Sequence, residues 1–576
     1  MPGPPAQPQP RPSQPERSGS AWTQRDRLAA AGIFVLALAI RLLHLQQIEQ
    51  HDPFFGLPSV DPRMYHEWAL RISGGDWLGD EVFYLGPLYA YALGLLYWVF
   101  GPSFLVAKAF QCLLGAATCV GVFAVSREVF DRRAAILAGL LAAGYAMLVF
   151  YAGSLLIVNL QVPLVLLVVW LSLRGLRDPR PLRWLLTGAV LGLAALARQT
   201  ALLYAPLLVA WLLLGLRERL GRRLLLAALF CLGAAVVIAP ATLRNFAVSG
   251  DFVLVTSTGG YSLWQGNHPR AHGTFQPVVI GGIRLDHPLE MREGYTRLAE
   301  EALGGPLEAS EVSDFWRKRT FDYVLSEPGA WLRLEARKLG YFLNRTEVWS
   351  NRSRELSRAF SWVLALPLPA FALTAPLGLV GLCLSARRWR HLVPLYCAMA
   401  AYLGFALIFF VLSRYRMPFE VLLLPFAGFA AVEIWDTLRA KQWPRLAFAA
   451  ALLVASIAIV HIPLPGPNLS MAYYNLGNKY RSLQEWEPAI ESYVQALRID
   501  RSNISFWNNL AIALENSADH HEQAVEAWRT VLRWGQQRGN ARYTERAERH
   551  LRALGVDPDA ADGGSMPPAE PGHETP

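Results

Sequence analysis

The sequence predicts a mainly α-helical, polytopic membrane protein, and three observations support this fold class. Of the 576 residues, 53% are hydrophobic and only 17% are charged, whereas soluble domains carry roughly 25% charged residues. The apolar residues are gathered in runs long enough to cross a bilayer. The arginines cluster in the short segments between these runs, where membrane topology favours positive charge on the cytosolic side. A soluble chain of this size could not bury so much apolar surface.

The net charge of +9 does not indicate nucleic-acid binding, because the basic residues follow the positive-inside pattern instead of forming one patch. The cysteines lie inside apolar runs, without the spacing of a metal site or a disulfide framework. We therefore predict that they are small packing residues. The five are Cys112, Cys119, Cys231, Cys383 and Cys397.

The N-terminal segment, residues 1–24, predicts a disordered tail because it is rich in Pro, Gln, Ser and Arg and poor in apolar residues. The first span, residues 28–45, follows Arg25 and Arg27, which predicts a retained anchor with its N-terminus inside. The segment after this span is then outside.

Ten further apolar runs follow, and the arginines between them decide which ones cross. The run at residues 86–100 is predicted to lie against the membrane, because a crossing would put two arginine-rich loops outside. The run at residues 185–216 is predicted to form two short spans with a tight turn near Arg198, because a single span would put its basic flanks on opposite sides. This gives about eleven spans. The runs are residues 86–100, 104–125, 134–152, 156–173, 185–216, 224–239, 359–384, 392–411, 418–435 and 446–460.

This topology predicts a transmembrane core at residues 25–243, which includes a first external loop at 46–103. A large external loop domain of mixed structure follows at 244–358, and a second set of transmembrane helices at 359–463. Everything after residue 463 is then predicted to lie outside as well.

Residues 468–555 are polar and helical in period, and they carry tetratricopeptide (TPR) spacing. A helix at 543–554 is predicted to cap two repeats, which alone bury too little to be stable. The module is either a structural appendage or a groove for a protein partner, and residues 556–576 predict a disordered tail. The repeat positions are Tyr473, Leu476, Gly477, Tyr480, Ala489, Tyr493 and Ala496, then Trp507, Leu510, Ala511, Leu514, Ala524 and Trp528.

An acidic, aromatic patch at residues 59–68 follows the first span. Asp61, Tyr65 and Ala69 share one face at helical spacing, and Pro62 favours the first turn of a helix, which puts Asp61 at its N-cap. The carboxylate could simply cap the helix. At a membrane surface it could also act as a base between a lipid-borne and a water-borne substrate.

Several motifs resemble the GT-C glycosyltransferases related to the dolichyl-phosphate-mannose protein mannosyltransferases (glycosyltransferase family 39) and the bacterial aminoarabinose transferases. Each motif is weak alone, but their order and spacing together are specific. The resemblance covers roughly residues 28–435. In the first loop the motifs are VDPRMY at 60–65, GGD at 74–76, GPLY at 86–89 and FG at 100–101; later ones are GLAALAR at 192–198, PATLRN at 240–245, GG at 259–260, QGN at 265–267 and SRYRMP at 413–418.

The resemblance implies an inverting transfer of a sugar from a polyprenyl-phosphate carrier to an acceptor hydroxyl on a protein, lipid or glycan, at the outer face of the membrane. The family's first-loop aspartate matches Asp61, which would be the general base. Residues expected to position the acceptor or donor are Arg63, Tyr65, Tyr89 and Asn159. Residues expected to bind the lipid phosphate are Arg198, Arg244, Arg414 and Arg416.

No cofactor is predicted with certainty. Related enzymes often carry a second acidic residue where this chain has Asn159, and an amide is a poorer ligand for a hard cation than a carboxylate. A divalent metal therefore stays open but is not expected to be tightly held. The expected location is a bacterial inner (plasma) membrane, with the loops and the TPR module on the periplasmic side.

Two other functions remain open. The chain could be a non-catalytic membrane scaffold that recruits envelope proteins through its TPR repeats. It could also be an enzyme of the O-antigen ligase or polymerase type, whose essential residues would lie in the long loop at 244–358 instead of the first loop.

Overall fold

The computed structural model describes residues 22–56, 58, 60–275, 278–280, 283–285, 288–466 and 468–558. The chain divides into two compact units, one up to residue 467 and one from residue 468. Regular structure in the described ranges is helical, apart from one short β-hairpin in the first unit. The predicted helical fold class is therefore confirmed.

The first part of unit 1 contains ten α-helices, and side-chain caps begin several of them. Thr23 and Asp26 form a capping box at the start of the first helix, so the predicted N-terminal tail ends before residue 24; residues 1–21 of that tail lie outside the described residues. The helices are α1 (Gln24–His51), α2 (Asp61–Ser73), α3 (Pro87–Phe100), α4 (Phe104–Val129), α5 (Arg132–Ala143), α6 (Ala146–Ala152), α7 (Val158–Arg177), α8 (Pro181–Ala197), α9 (Tyr204–Leu214) and α10 (Leu220–Ser249).

The long loop region that follows α10 is mostly helical as well. Its two short strands pair antiparallel, with Val279 opposite Arg284. The elements are α11 (Gly259–Gly266), β1 (Val278–Ile280), β2 (Ile283–Leu285), α12 (Pro288–Leu303), α13 (Ala309–Ser326), α14 (Pro328–Leu343), α15 (Arg354–Ser357) and α16 (Trp362–Ala365). Four apolar helices complete unit 1: α17 (Phe371–Leu384), α18 (Trp389–Ile408), α19 (Ser413–Arg439) and α20 (Trp443–Val460).

Seven of these helices are long and apolar enough to cross a membrane, and the bent pair α5–α6 makes eight if it counts as one span. The described part of the chain is therefore a multi-pass membrane protein. The other three of the eleven predicted spans correspond to shorter apolar helices, namely α8, α9 with the 3-10 turn before it, and α17. The difference is greatest at residues 359–384, where the helix begins only at Phe371 and has 14 residues.

The predicted turn near Arg198 is present, because α8 ends at Ala197 and a 3-10 turn, Gln199–Leu203, leads into α9. Arg198 itself is extended, with φ −152° and ψ 120°. The two helices then use different neighbours: α8 packs mainly on α7 and α10, whereas α9 packs on α10 and α18. This break places Arg198 at the end of unit 1 at which α8 finishes.

The opposite end of unit 1, which we call the basic end, is held by ion pairs between helix termini. The first group joins the start of α1 to the end of α4 and to the start of α5. The second joins the end of α4 to the end of α7. The third joins the start of α5 to the end of α19. The groups are Asp26 with Arg127 and Arg132, Glu128 with Arg174 and Arg177, and Asp436 with Arg133.

Helices α8 and α10 approach closely because glycines face each other's backbone. A Cβ added to Gly188 would lie 1.9 Å from the Phe230 carbonyl oxygen, and one added to Gly233 would lie 2.1 Å from the Leu185 oxygen. Neither distance is tolerable for a carbon atom, so any side chain would force the two helices apart. Small residues at such contacts are typical of membrane helix packing, where van der Waals contact drives association.

We expect Gly188→Val to destabilise unit 1 by about 1–3 kcal/mol or more, because overpacking shifts the backbone. The thermal unfolding midpoint of the purified protein in detergent measures this. Gly221→Val is the matched control, since a Cβ at Gly221 would meet no atom within 4 Å. Equal midpoints for the two variants would contradict the close packing of α8 and α10.

The described residues of unit 2 form a stack of five helices in which each helix packs on the next one. Gly477 allows close packing, because a Cβ there would lie 2.6 Å from the Tyr493 ring. The last helix buries Ala547 and Leu551 against its predecessor, in agreement with the predicted capping helix at 543–554. Residues 559–576 of the predicted C-terminal tail lie outside the described residues. The helices are α21 (Ser470–Ser482), α22 (Trp486–Ile499), α23 (Ile504–Glu515), α24 (His521–Gln537) and α25 (Ala541–Ala553).

Candidate active site

Helix α2 presents Asp61 in its first turn, but not in the predicted capping role. The N-cap is Val60 and its side chain makes no capping bond, so Asp61 is the first helical residue and Pro62 the second. Val60 has φ 57° and ψ −129°, a conformation that is costly for a β-branched residue and typical of functional sites. This turn leaves the Asp61 carboxylate available for contacts outside its own helix.

The Asp61 side chain is buried and bound by two distant residues. Arg414 donates from Nη1 to Oδ2 in a short ion pair, and Asn351 donates from Nδ2 to the same oxygen at 3.3 Å. Burial raises the pKa of Asp61, but the Arg414 charge and these two hydrogen bonds outweigh it, so the pKa lies below its usual value. The carboxylate is therefore ionised at neutral pH.

Two arginines lie near the Tyr415 ring, beside this carboxylate. The guanidinium carbon of Arg198 is 4.0 Å from the Tyr415 ring centroid, and that of Arg414 is 5.2 Å from it. Arg198 Nη1 and Arg414 Nε are buried and have no hydrogen-bond partner among the described residues. A buried donor without a partner is costly, which favours an acceptor ligand at this place. We call Asp61, Arg198, Asn351, Arg414 and Tyr415 the Asp61 site.

Tyr65 lies one helical turn after Asp61, as the spacing predicts, and only 3% of it is exposed. Its ring packs edge-on against Tyr89, with 4.9 Å between centroids. Burial and the nearby Asp61 charge raise the Tyr65 pKa. Tyr65 is therefore uncharged at neutral pH, and its buried ring borders the site.

Tyr89 and Asn159 belong to a buried polar network behind Tyr65. The Tyr89 hydroxyl donates to Gln111 Oε1 at 2.6 Å, and Asn159 Nδ2 donates to the same oxygen at 2.9 Å. Asn159 Nδ2 also lies within bonding distance of the carbonyls of Tyr151 and Ser154. The predicted role of Tyr89 and Asn159 in positioning the acceptor or donor stays a prediction; in the structure the Tyr89 hydroxyl and Asn159 Nδ2 are bonded to Gln111 and to backbone carbonyls.

Arg63 and Arg244 differ from their predicted roles. Arg63 pairs with Glu67 on the same helix at 2.7 Å, and both side chains are more than half exposed. Arg244 donates to the carbonyls of Leu78 and Glu81 in the first loop and lies over the Phe83 ring. Their partners give them a surface and a loop-anchoring role, respectively.

Arg416, also predicted to bind the lipid phosphate, is enclosed by protein partners. It is 1% exposed and donates to Glu420 at 2.5 Å and Glu347 at 3.1 Å. It also donates to the Asn344 carbonyl at 2.6 Å, and its guanidinium carbon lies 4.1 Å from the Phe371 ring centroid. Through these partners, the buried guanidinium of Arg416 ties the end of α14 to α19.

The loop between α14 and α15 supplies contacts that sequence reasoning did not assign. Asn351 binds Asp61, and the next residue, Arg352, pairs with the buried Asp52 at 2.6 Å. Asp52 immediately follows α1, so the α14–α15 loop contacts both the start of the first external loop and the Asp61 site. No spacing rule could have predicted the Asn351–Asp61 contact, because the two residues lie almost three hundred positions apart in the chain.

Among the described residues there is no group of three or more His, Cys, Asp and Glu side chains placed to hold a metal ion. Asp61 itself has an arginine and an amide as its described polar partners.

Family models match two parts of the chain. Residues 85–243 match the dolichyl-phosphate-mannose-protein mannosyltransferase family, which confirms the resemblance over that segment. Residues 477–517 match the TPR repeat, which confirms the predicted repeats. The search of curated proteins finds no match.

Solved structures with a similar arrangement include archaeal and bacterial membrane proteins. The oligosaccharyltransferase AglB from Archaeoglobus fulgidus, in complex with an inhibitory peptide and a dolichol-phosphate, is 15% identical with a TM-score of 0.41; the alignment covers 81% of this chain and 60% of that one. ArnT from Cupriavidus metallidurans, bound to undecaprenyl phosphate, is 17% identical with a TM-score of 0.33, covering 72% of this chain and 79% of that one. This chain thus spans about three fifths of the length of AglB.

Proposed function

We propose that the chain is a membrane glycosyltransferase that moves a sugar from a polyprenyl-phosphate carrier to an acceptor hydroxyl on a protein, lipid or glycan. The reaction inverts the anomeric carbon, and Asp61 is its general base. The observation that carries this proposal is the Asp61 site itself, where one buried carboxylate lies beside two arginines that retain unpartnered donors. The family match at residues 85–243 supports the reaction class.

The chemistry needs a base and a cation, and the Asp61 site offers both. The acceptor hydroxyl gives its proton to the Asp61 carboxylate while its oxygen forms the new bond to the anomeric carbon. The bond from that carbon to the phosphate oxygen breaks, and the electron pair leaves with the lipid phosphate. Arg198 and Arg414 stabilise the charge that develops on the leaving phosphate.

The positions of the two ends of unit 1 support an outer location for this reaction. Helix α19 has 27 residues, which corresponds to roughly 40 Å at 1.5 Å per residue. It begins at the Asp61 site and ends at the basic end. The short, arginine-rich connections gather at the basic end, which the positive-inside rule assigns to the cytosol. We therefore propose that the Asp61 site faces the periplasm or its equivalent.

The proposed reaction is tested with membranes that contain the chain and a panel of polyprenyl-phosphate sugars carrying a radioactive label. We expect label to pass into protein, lipid or glycan, with membranes lacking the chain as background. Stereochemical analysis of the product then reports inversion. A panel that gives no transfer above background would count against the proposal.

The TPR unit leads to a second experiment, because a non-catalytic scaffold would act through it. Unit 2 starts at residue 468 as a separate compact unit with its own apolar core. We expect deletion of residues 468–576 to leave transfer to a small acceptor within about twofold, because no residue of the Asp61 site lies beyond Tyr415. Transfer rates of both forms, normalised to folded protein, measure this. Loss of all transfer would favour an obligatory role for the repeats.

A further inference from the structure

The Arg414 guanidinium has two edges with different surroundings. Nη1 is bonded to the Asp61 carboxylate, whereas Nε is buried without a partner among the described residues. The arginine guanidinium carries five N–H donors in a fork that matches both carboxylate and phosphate oxygens, so each of its two edges can bind one anion. Arg414 is therefore placed to contact the base and a second anion at once.

The charges of the Asp61 site favour one further anion. Its charged side chains are two arginines and one carboxylate, so Asp61 offsets only one of the two positive charges. The Tyr415 ring holds both guanidinium groups on its surface, and Arg198 Nη1 is also unpartnered. Nearby Glu347 and Glu420 make their ion pairs with Arg416, and among the described residues neither is paired with Arg198 or Arg414.

We infer that Arg414 is shared between Asp61 and the phosphate of the lipid carrier, so that donor binding loosens its hold on the base. This inference rests on the proposed function and adds an order of events to it. A phosphate at the Nε edge draws on the same positive charge that now stabilises the ionised Asp61. The proton affinity of Asp61 is consequently higher when a donor is bound and lower when the site is empty.

This arrangement makes Arg414 a positioning residue for the base as well as a ligand for the donor. It also explains why a carboxylate intended as a base is found in a tight ion pair. An ion pair alone would make Asp61 a poor proton acceptor, because a neighbouring cation favours the charged form. When Arg414 is shared with the phosphate of a bound donor, it lowers the proton affinity of Asp61 less, so Asp61 becomes a better base when the sugar donor is present.

The test is the affinity of the full chain, in nanodiscs, for polyprenyl phosphate without a sugar. If Asp61 and the phosphate compete for Arg414, Asp61→Asn should bind polyprenyl phosphate more tightly, by roughly tenfold for directly coupled charges. A purely structural ion pair predicts the reverse, because its loss would loosen the site. Polyprenol, which lacks the phosphate, reports any contribution of the lipid chain.

Two further variants make the result specific to the shared guanidinium. In an Arg414→Gln background, Asp61→Asn should no longer change the affinity, because the shared group is gone. Glu67→Gln is the matched control: it removes an exposed carboxylate from the same helix and should leave the affinity unchanged. Thermal unfolding of each variant shows that it is folded.

The outcomes separate this inference from the proposed function. Asp61→Asn that abolishes sugar transfer but leaves phosphate affinity unchanged or weaker would overturn the sharing of Arg414 and keep Asp61 as the base. A persistent gain in affinity in the Arg414→Gln background would also overturn it. Failure of the unchanged chain to prefer polyprenyl phosphate over polyprenol would overturn both.

Discussion

Asp61→Asn is expected to lower sugar transfer by about 10²–10⁴-fold, the usual contribution of a positioned general base. The amide retains the size of the side chain and can still accept a hydrogen bond from Arg414, but it cannot take a proton from the acceptor hydroxyl. The rate of label transfer from the polyprenyl-phosphate donor measures the effect. The loss should appear in the rate at saturating donor, because donor binding itself is not impaired.

Glu67→Gln provides the comparison for that experiment. Glu67 lies on the same helix as Asp61, and its exposed carboxylate pairs with Arg63. Exposed pairs contribute little, with typical values of about 0–1 kcal/mol, so transfer should stay close to that of the unchanged chain. Full activity of Asp61→Asn would remove Asp61 from the reaction, whatever the control shows.

Arg416→Ala is expected to destabilise unit 1 by about 3–5 kcal/mol, the usual result of removing one member of a buried ion pair. Glu420 and Glu347 would remain buried without a cation, and the Asn344 carbonyl would lose its donor. The thermal unfolding midpoint in detergent and the yield of monodisperse protein measure this loss. A structural role predicts that the fraction that folds still binds polyprenyl phosphate.

Arg133→Ala is the matched control for Arg416→Ala. Arg133 forms an ion pair at 2.6 Å with Asp436, and its side chain is 56% exposed. Its loss should cost less than about 1 kcal/mol. If Arg416→Ala instead folded with an unchanged midpoint but no longer bound polyprenyl phosphate, the result would support the sequence-based prediction that Arg416 binds the lipid phosphate.

The sequence predicted the helical fold because membrane spans and repeats are local patterns. Apolar runs of sufficient length and arginine-rich connections need no knowledge of distant residues, and TPR spacing recurs within each repeat. The turn at Arg198 followed from the same local charge rule. Predictions of helix ends were less accurate, as at Phe371 and Thr23, because caps and irregular segments depend on a few side chains.

The sequence alone determined which residue types could carry the chemistry, and in the Asp61 site it supplied Asp61, Arg198 and Arg414 from separate motifs. Only the tertiary structure decided how these residues are paired. Arg414 and Arg416 lie two positions apart on α19, yet one faces Asp61 and the other is enclosed by Glu347 and Glu420. Residues two apart on a helix point in different directions, and what each meets depends on segments far away in the chain.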